Sequence, residues 1–154
     1  MWEYEHSIVP AATPASIWQL YSDVSTWPEW DAGIAAISID GPFAAGTMGM
    51  ITPSGQASLP FTTLEADPER GFVDETEIRG AGILIRFEHR IVALPDGRSR
   101  LTHSVAIRGP IPDAVASEIG AGVSAGIPQT MATLAQQAAA RDGRQQSLAR
   151  MPWR

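Results

Sequence analysis

The chain has no cysteine, no lysine and no asparagine. Without cysteine there are no disulfides, thiolate metal sites, iron–sulfur clusters or thiol nucleophiles. Without lysine there is no Schiff-base amine and no phosphate-loop lysine, and without asparagine no N-glycosylation acceptor. All 11 basic residues are therefore arginines. Four of them lie between Arg141 and Arg154 against a single Asp, so this segment is +3 and the preceding 140 residues carry −9 of the net −6. A body of that sign repels phosphate backbones, so no nucleic-acid partner is expected. No uninterrupted apolar run approaches the roughly 18 residues of a spanning helix, so no stable membrane insertion is expected. The opening MWEYEHSIVP has two early Glu and no long apolar stretch, unlike a signal peptide, and a cytoplasmic location is the default. Gly-rich phosphate loops, nucleophile elbows and metal-binding motifs are missing too, so no metal and no cofactor are expected.

What remains is a chain of 154 residues, 44% hydrophobic and 18% charged, the profile of one globular domain. Residues 2–9 alternate, with Trp2, Tyr4, His6 and Ile8 on one side and Glu3, Glu5 and Ser7 on the other, the period of a half-buried strand. Thr13 followed by Pro14 reads as an N-cap with proline in the first helical turn. Ile17, Leu20, Tyr21 and Val24 then share a helical face, and the chain breaks around Trp27-Pro28-Glu29-Trp30-Asp31. Six strands are expected over 34–40, 46–52, 56–66, 72–79, 83–94 and 98–108, separated by Gly, Pro and Asp turns short enough for an antiparallel meander. A long helix follows from near Pro112, with Val115, Ile119, Val123, Ile127, Met131, Leu134 and Ala138 at spacings of three and four. Gly126-Ile127-Pro128 should kink it, and Asp142-Gly143 should end it. Gly120, Gly122 and Gly126 are costly in a helix interior. They serve either close packing on the sheet or the kink, or else they leave room for a ligand.

The element order, together with IVPAATPASIWQLYSDVSTWPEWD, GPFAAGTMG and RFEHRIVALPDGRSRLTHSVAIRGP, resembles the polyketide cyclase/dehydratase-like branch of the START-like (SRPBCC) superfamily. The resemblance runs from about Trp2 to Arg141. It implies an α+β helix-grip fold: a seven-stranded curved antiparallel sheet around a long C-terminal helix, with two short helices after the first strand. It also implies an internal cavity for a hydrophobic small molecule, lipid-, polyketide- or quinone-like, without fixing a reaction. Residues 1–141 then form the ligand-binding domain and 142–154 a flexible, Arg-containing tail. A monomer or homodimer is expected.

Strand parity puts all three histidines, His6, His89 and His103, on apolar sides. Pro95-Asp96-Gly97 suits a three-residue hairpin that pairs Leu94 with Arg98 and hence Ile91 with Leu101, His89 with His103 and Phe87 with Val105. If Ile78 pairs with Ile85, Asp74 falls opposite His89. A row Asp74–His89–His103 then crosses the cavity wall, with His6 extending it. A carboxylate beside an imidazole makes a proton donor–acceptor pair, so Asp74, His89 and His103 are the candidate catalytic residues. Facing imidazoles lower each other's pKa, and both should be mostly neutral at pH 7. Tyr21, Trp30, Phe61, Phe87, Val123 and Ile127 are the candidate ligand contacts. The alternative is structural: inward histidines satisfied by a hydroxyl, carbonyl or water, tryptophans that only pack, and Asp74 bent towards solvent. Met48 and Met50 are either plastic lining or core. Three functions stand: a binding protein for a hydrophobic ligand, a cyclase/dehydratase-type enzyme moving protons with the cavity His and Asp, and a protein-partner or co-chaperone module that uses the tail.

Overall fold

The structure, a computed structural model, describes residues 1–149. Strand β1 (Trp2–Ile8) leads into α1 (Pro14–Ser22), a 3-10 turn (Val24–Thr26) and the short α2 (Trp27–Trp30). Six strands follow: β2 (Ile34–Ile39), β3 (Met48–Pro53), β4 (Leu59–Asp67), β5 (Gly71–Ile78), β6 (Ile83–Ala93) and β7 (Ser99–Arg108). Helices α3 (Asp113–Ser124) and α4 (Ile127–Ala149) close the described chain. The seven strands form one sheet in the order β1-β7-β6-β5-β4-β3-β2, antiparallel throughout. This is the helix-grip fold.

Local signals set most of these elements. Thr13 caps α1, its side chain accepting from the Ser16 N–H, and Pro14 opens the first turn. The β6–β7 turn closes with Leu94 N–H donating to Arg98 O at 2.9 Å and Gly97 N–H to Leu94 O at 3.2 Å. Gly97 there has φ +84°, which a side chain would strain. That turn fixes the register, and Ile91–Leu101, His89–His103 and Phe87–Val105 pair as the hairpin count expects. The β5–β6 connection differs from expectation. It is tighter, pairing Ile78 with Ile83, so every β5 residue meets a β6 residue two positions earlier. Asp74 therefore lies opposite Phe87, and Phe72 opposite His89.

The interior consists of two separate apolar clusters. Ile17, Leu20, Tyr21, Trp27, Trp30 and Phe72 pack with Leu101, Met131 and Leu134 at the end covered by α1 and α2. Ile83, Ile85, Val105, Ile107 and Ala116 form the other, with Trp2 against it. Where they meet, the gripping helix breaks. Pro128 has no N–H to give to the carbonyl of Ser124, four residues back, so α3 ends and α4 starts afresh at Ile127.

The expected helix end at Asp142-Gly143 is incorrect. Helix α4 passes through both residues and continues to Ala149, so the tail expected from 142 begins as helix, and Arg150 and Arg154 lie outside the described residues. The reason is that Asp142 acts in a tertiary contact. Its carboxylate accepts from the Thr13 N–H at 2.8 Å, the Thr13 hydroxyl at 2.8 Å and the Ser16 hydroxyl. A negative group at the start of α1 also complements the helix dipole. Gly143 costs only ~1 kcal/mol, which this anchor offsets. Asp142→Ala should lower unfolding free energy by about 2 kcal/mol, the range for a charged hydrogen bond combined with a weakened cap. Urea denaturation followed by circular dichroism measures it, and a change within ±0.5 kcal/mol, ordinary for surface substitutions, would remove the anchor role.

Candidate functional site

Five strands present a ladder of side chains to the interior. One row reads His6, His103, His89, Phe72 across β1, β7, β6 and β5. The adjoining row reads Tyr4, Val105, Phe87, Asp74, Thr63 across β1, β7, β6, β5 and β4. The imidazoles of His89 and His103 stand edge to face, centroids 4.4 Å apart. His89 stacks on Phe72 at 4.0 Å and 9°. That close stack sits beside Gly71, where a Cβ would collide with the His89 carbonyl oxygen at 2.0 Å. Tyr21 descends from α1 and joins its hydroxyl to His103 Nε2 at 2.6 Å.

Burial sets the charge state of this group. Desolvation, then the neighbouring His103, hold His89 well below the usual imidazole range. Desolvation, then His6, push His103 down to about 3. Both imidazoles are therefore neutral at pH 7. Burial also pushes the Tyr21 phenol above its ordinary value, so it keeps its proton. Each partner of the Tyr21–His103 bond thus carries one exchangeable proton, and either can donate. His89 Nδ1 is buried and makes no well-formed hydrogen bond, although the Phe72 backbone lies close enough to the imidazole to oppose part of the downward shift.

A cavity of about 320 Å³ lies between this row and the helix break. His89, His103 and Phe87 form its sheet wall, Val123 and Ile127 its helix wall, and Trp30 and Asp31 one end. Gly122 and Gly126 face it, and a Cβ at either would meet nothing within 4 Å. Gly120 does the opposite job, since a Cβ there would strike the Trp2 indole at 2.3 Å. Gly120 thus serves packing, Gly122 borders open space, and Gly126 lies in the helix break. A larger depression of about 570 Å³ lies on the sheet's other face among Glu3, Glu5, Arg86, Glu88 and Arg108. Its walls are the solvated outward positions, where Arg86–Glu88 and Arg108–Glu75 pair at 3.3 and 3.0 Å, and the buried polar groups do not reach it. The inner cavity is where the unusual chemistry converges.

The structure brings His89, His103, Trp30, Phe87, Val123 and Ile127 together around this cavity. Three candidates are not among its walls. Tyr21 is fully buried behind His103. Phe61 packs its ring over Gly49 instead. Asp74 lies beyond Phe87 and has no hydrogen bond among the described residues, so the expected Asp74–His89 contact is incorrect, as is the solvent-facing alternative. Met48 and Met50 alternate with the inward Gly49 and are outward, Met48 being 55% exposed. Sequence reading missed Asp31 as a cavity residue. Its Oδ1 accepts from the Gly33 N–H at 2.9 Å and the Thr130 hydroxyl at 3.4 Å, tying the α2–β2 turn to α4. The Asp31-Ala32-Gly33 turn signal was present, but only the helix crossing above it shows the role.

With this geometry in hand, comparison with known proteins places the chain. The family model described as polyketide cyclase / dehydrase and lipid transport matches residues 1–139. The chain belongs to that family. No curated protein matches it. Among solved structures it is similar to norcoclaurine synthase from Thalictrum flavum, a point mutant in complex with a transition-state analogue, at 15% identity and TM-score 0.71, covering 92% of this chain and 96% of that one. It is also similar to protein MLL2253 from Mesorhizobium loti, at 17% identity and TM-score 0.69, over 88% and 96% of the two chains. The di-domain ARO/CYC StfQ from the steffimycin biosynthetic pathway matches at 13% identity and TM-score 0.69, over 92% of this chain and 52% of that one. Identities this low establish the shared fold and no more. Among the described residues no helix is long and apolar enough to cross a membrane.

Asp74 supplies a pH test. Burial raises its pKa from 3.8 to about 7. Between those values the unfolded carboxyl has lost its proton and the folded one keeps it, so stability falls as pH rises, by roughly 1.4 kcal/mol per unit. Asp74→Asn mimics the neutral acid and removes this loss. The variant should match the parent near pH 4 and exceed its unfolding free energy by an amount that grows towards neutrality and levels off above about pH 7. Denaturant midpoints at a series of pH values measure this, and parallel curves for the two proteins would mean that Asp74 ionises freely.

Proposed function

We propose that the protein binds a small, largely apolar molecule in the cavity between the sheet and the broken helix. The observation that carries this reading is the cavity beside the helix break, where Gly122 and Gly126 place no side chain. At Gly122, within α3, alanine would favour the helix by up to ~1 kcal/mol, so glycine is kept there at a cost, while Gly126 lies in the break between α3 and α4. Trp30, Phe87, Val123 and Ile127 supply apolar contacts, and the neutral imidazoles of His89 and His103 supply the polar ones. The volume is at the low end of the usual range of about 300–1,000 Å³. At roughly 30 Å³ per water it corresponds to ~10 waters, room for a compact one- or two-ring compound or the end of a longer chain. Lipid-, polyketide- and quinone-like ligands all offer such a fragment. In this reading residues 1–141 are the binding unit, working in the cytoplasm as a monomer or homodimer.

The buried Tyr21–His103 bond favours a second reading, a cyclase/dehydratase-type enzyme. The Tyr21 hydroxyl, 2.6 Å from His103 Nε2, fixes the orientation of a neutral imidazole at the cavity wall and leaves its other ring nitrogen for proton exchange. His103 would take a proton from one ligand atom and return it to another, Tyr21 would keep its own proton and position the imidazole, and the walls would restrict the chain's conformations. Asp74 has no part in this step, being separated from the cavity by Phe87.

Filling the cavity separates binding from folding. Gly122→Leu places a side chain in open space within α3 and improves helix propensity by up to ~1 kcal/mol. The variant should be at least as stable as the parent and should no longer retain the apolar compounds that native mass spectrometry and solvent extraction recover from the parent. Equal ligand content in both proteins would place binding elsewhere.

A further inference from the structure

We infer that the cavity discriminates by charge, taking an uncharged ligand that bears a hydroxyl and rejecting the same skeleton carrying a carboxylate or phosphate. The inference rests on the binding reading above and names the class of ligand that the site accepts. Its basis is the set of ionisable groups at the walls. Among the described residues these are Asp31, His89 and His103, with no arginine, and the chain has no lysine. Arginines on the strands that form the wall are turned away: Arg90 pairs with Glu65 at 3.2 Å and Arg108 with Glu75 at 3.0 Å on the outer face. An anion entering the cavity would shed its water and find no cation, while the Asp31 carboxyl stands at one end.

The imidazoles do not supply the missing charge. Protonating His89 sets its cation against His103 in an enclosed site, and His103 in turn faces His6. Tyr21, packed on both rings, keeps its proton and offers no counter-charge. A hydroxyl suits the site for the reason that an anion does not. It can donate or accept, so it matches either tautomer of a neutral imidazole. His89 and His103 line the cavity, and their imidazoles are the groups that such a hydroxyl would meet. Asp31 already accepts through Oδ1 from Gly33 and Thr130, which holds its carboxyl in place at the cavity end.

A pair of naphthalene probes of matched size tests this: naphthylmethanol and naphthoate, titrated into the full-length protein by isothermal calorimetry. At about pH 7.5 the acid is fully ionised, well above an ordinary carboxyl pKa of roughly 4. The alcohol should bind at least tenfold more tightly than the carboxylate, and Gly122→Leu should abolish the binding of the alcohol. Equal affinities, or a preference for naphthoate, would overturn the charge inference and leave the binding reading standing. A preference for the alcohol that persists in Gly122→Leu would also overturn it, because the selectivity would then arise outside this cavity. If neither probe binds, the binding reading fails and this inference fails with it.

Discussion

Pro128 determines the shape of the interior. A proline here leaves the carbonyl of Ser124 without its helical donor and forces the gripping helix to restart at Ile127. A straight helix would lie along the sheet and press one continuous core against it. The broken one gives two cores, with Ala116 of α3 in one and Met131, Leu134 and Ala138 of α4 in the other. The space between them falls at the break, where Gly122, Val123, Gly126 and Ile127 face the sheet. Cavity position is thus a consequence of one missing N–H.

What the cavity meets on the sheet side follows from a second local cause, the three-residue turn at Pro95-Asp96-Gly97. It sets β6 against β7 so that His89 and His103 coincide. β1 then adds His6 to the row. The aromatic set around Phe72, comprising His89, Tyr21, Trp27 and Phe43, immobilises this end of the row by stacking and edge contacts at 4.0–5.3 Å. Rigidity and neutrality have the same origin here: rings packed this closely exclude the water that would stabilise an imidazolium. Groups so held are donors and acceptors of fixed position, suited to orienting an uncharged ligand or passing a single proton.

Most of the fold was legible because its signals are local. Alternation marked the strands, Thr13-Pro14 the start of α1, and the Pro-Asp-Gly turn the β6–β7 register. The errors share a cause. The β5–β6 turn lies in Gly80-Ala81-Gly82, a flexible sequence compatible with more than one loop length, and the two-residue shift moved Asp74 away from His89. Asp142-Gly143 has the composition of a helix end, yet its carboxylate serves a helix start 129 residues away, a contact invisible to local reading. Within the site, inward parity identified His89, His103 and Phe87, and helical spacing identified Val123 and Ile127. Asp31 and the true environment of Phe61 depend on how separate elements cross, which periodicity does not encode.

The polar groups of the interior fall into two kinds. Some serve the fold and are fully satisfied: the Ser99 hydroxyl donates to the Ala12 carbonyl at 2.8 Å, the Trp27 indole to the Tyr21 carbonyl at 3.0 Å, and the Thr26 hydroxyl to the Leu20 carbonyl at 2.9 Å. Others are left short. Among the described residues, His89 Nδ1 and Thr63 Oγ1 are buried without partners, and the pKa of Asp74, paired with Thr63 across β4 and β5, is raised to about 7 by burial. Each costs stability that a leucine or valine would not. His89 lines the cavity, Asp74 and Thr63 lie beyond Phe87 on the next inward row, and the satisfied set lies under α1 and α2. The inward rows of the sheet thus hold polar groups at a cost to stability, in a chain whose other interior polar groups are satisfied.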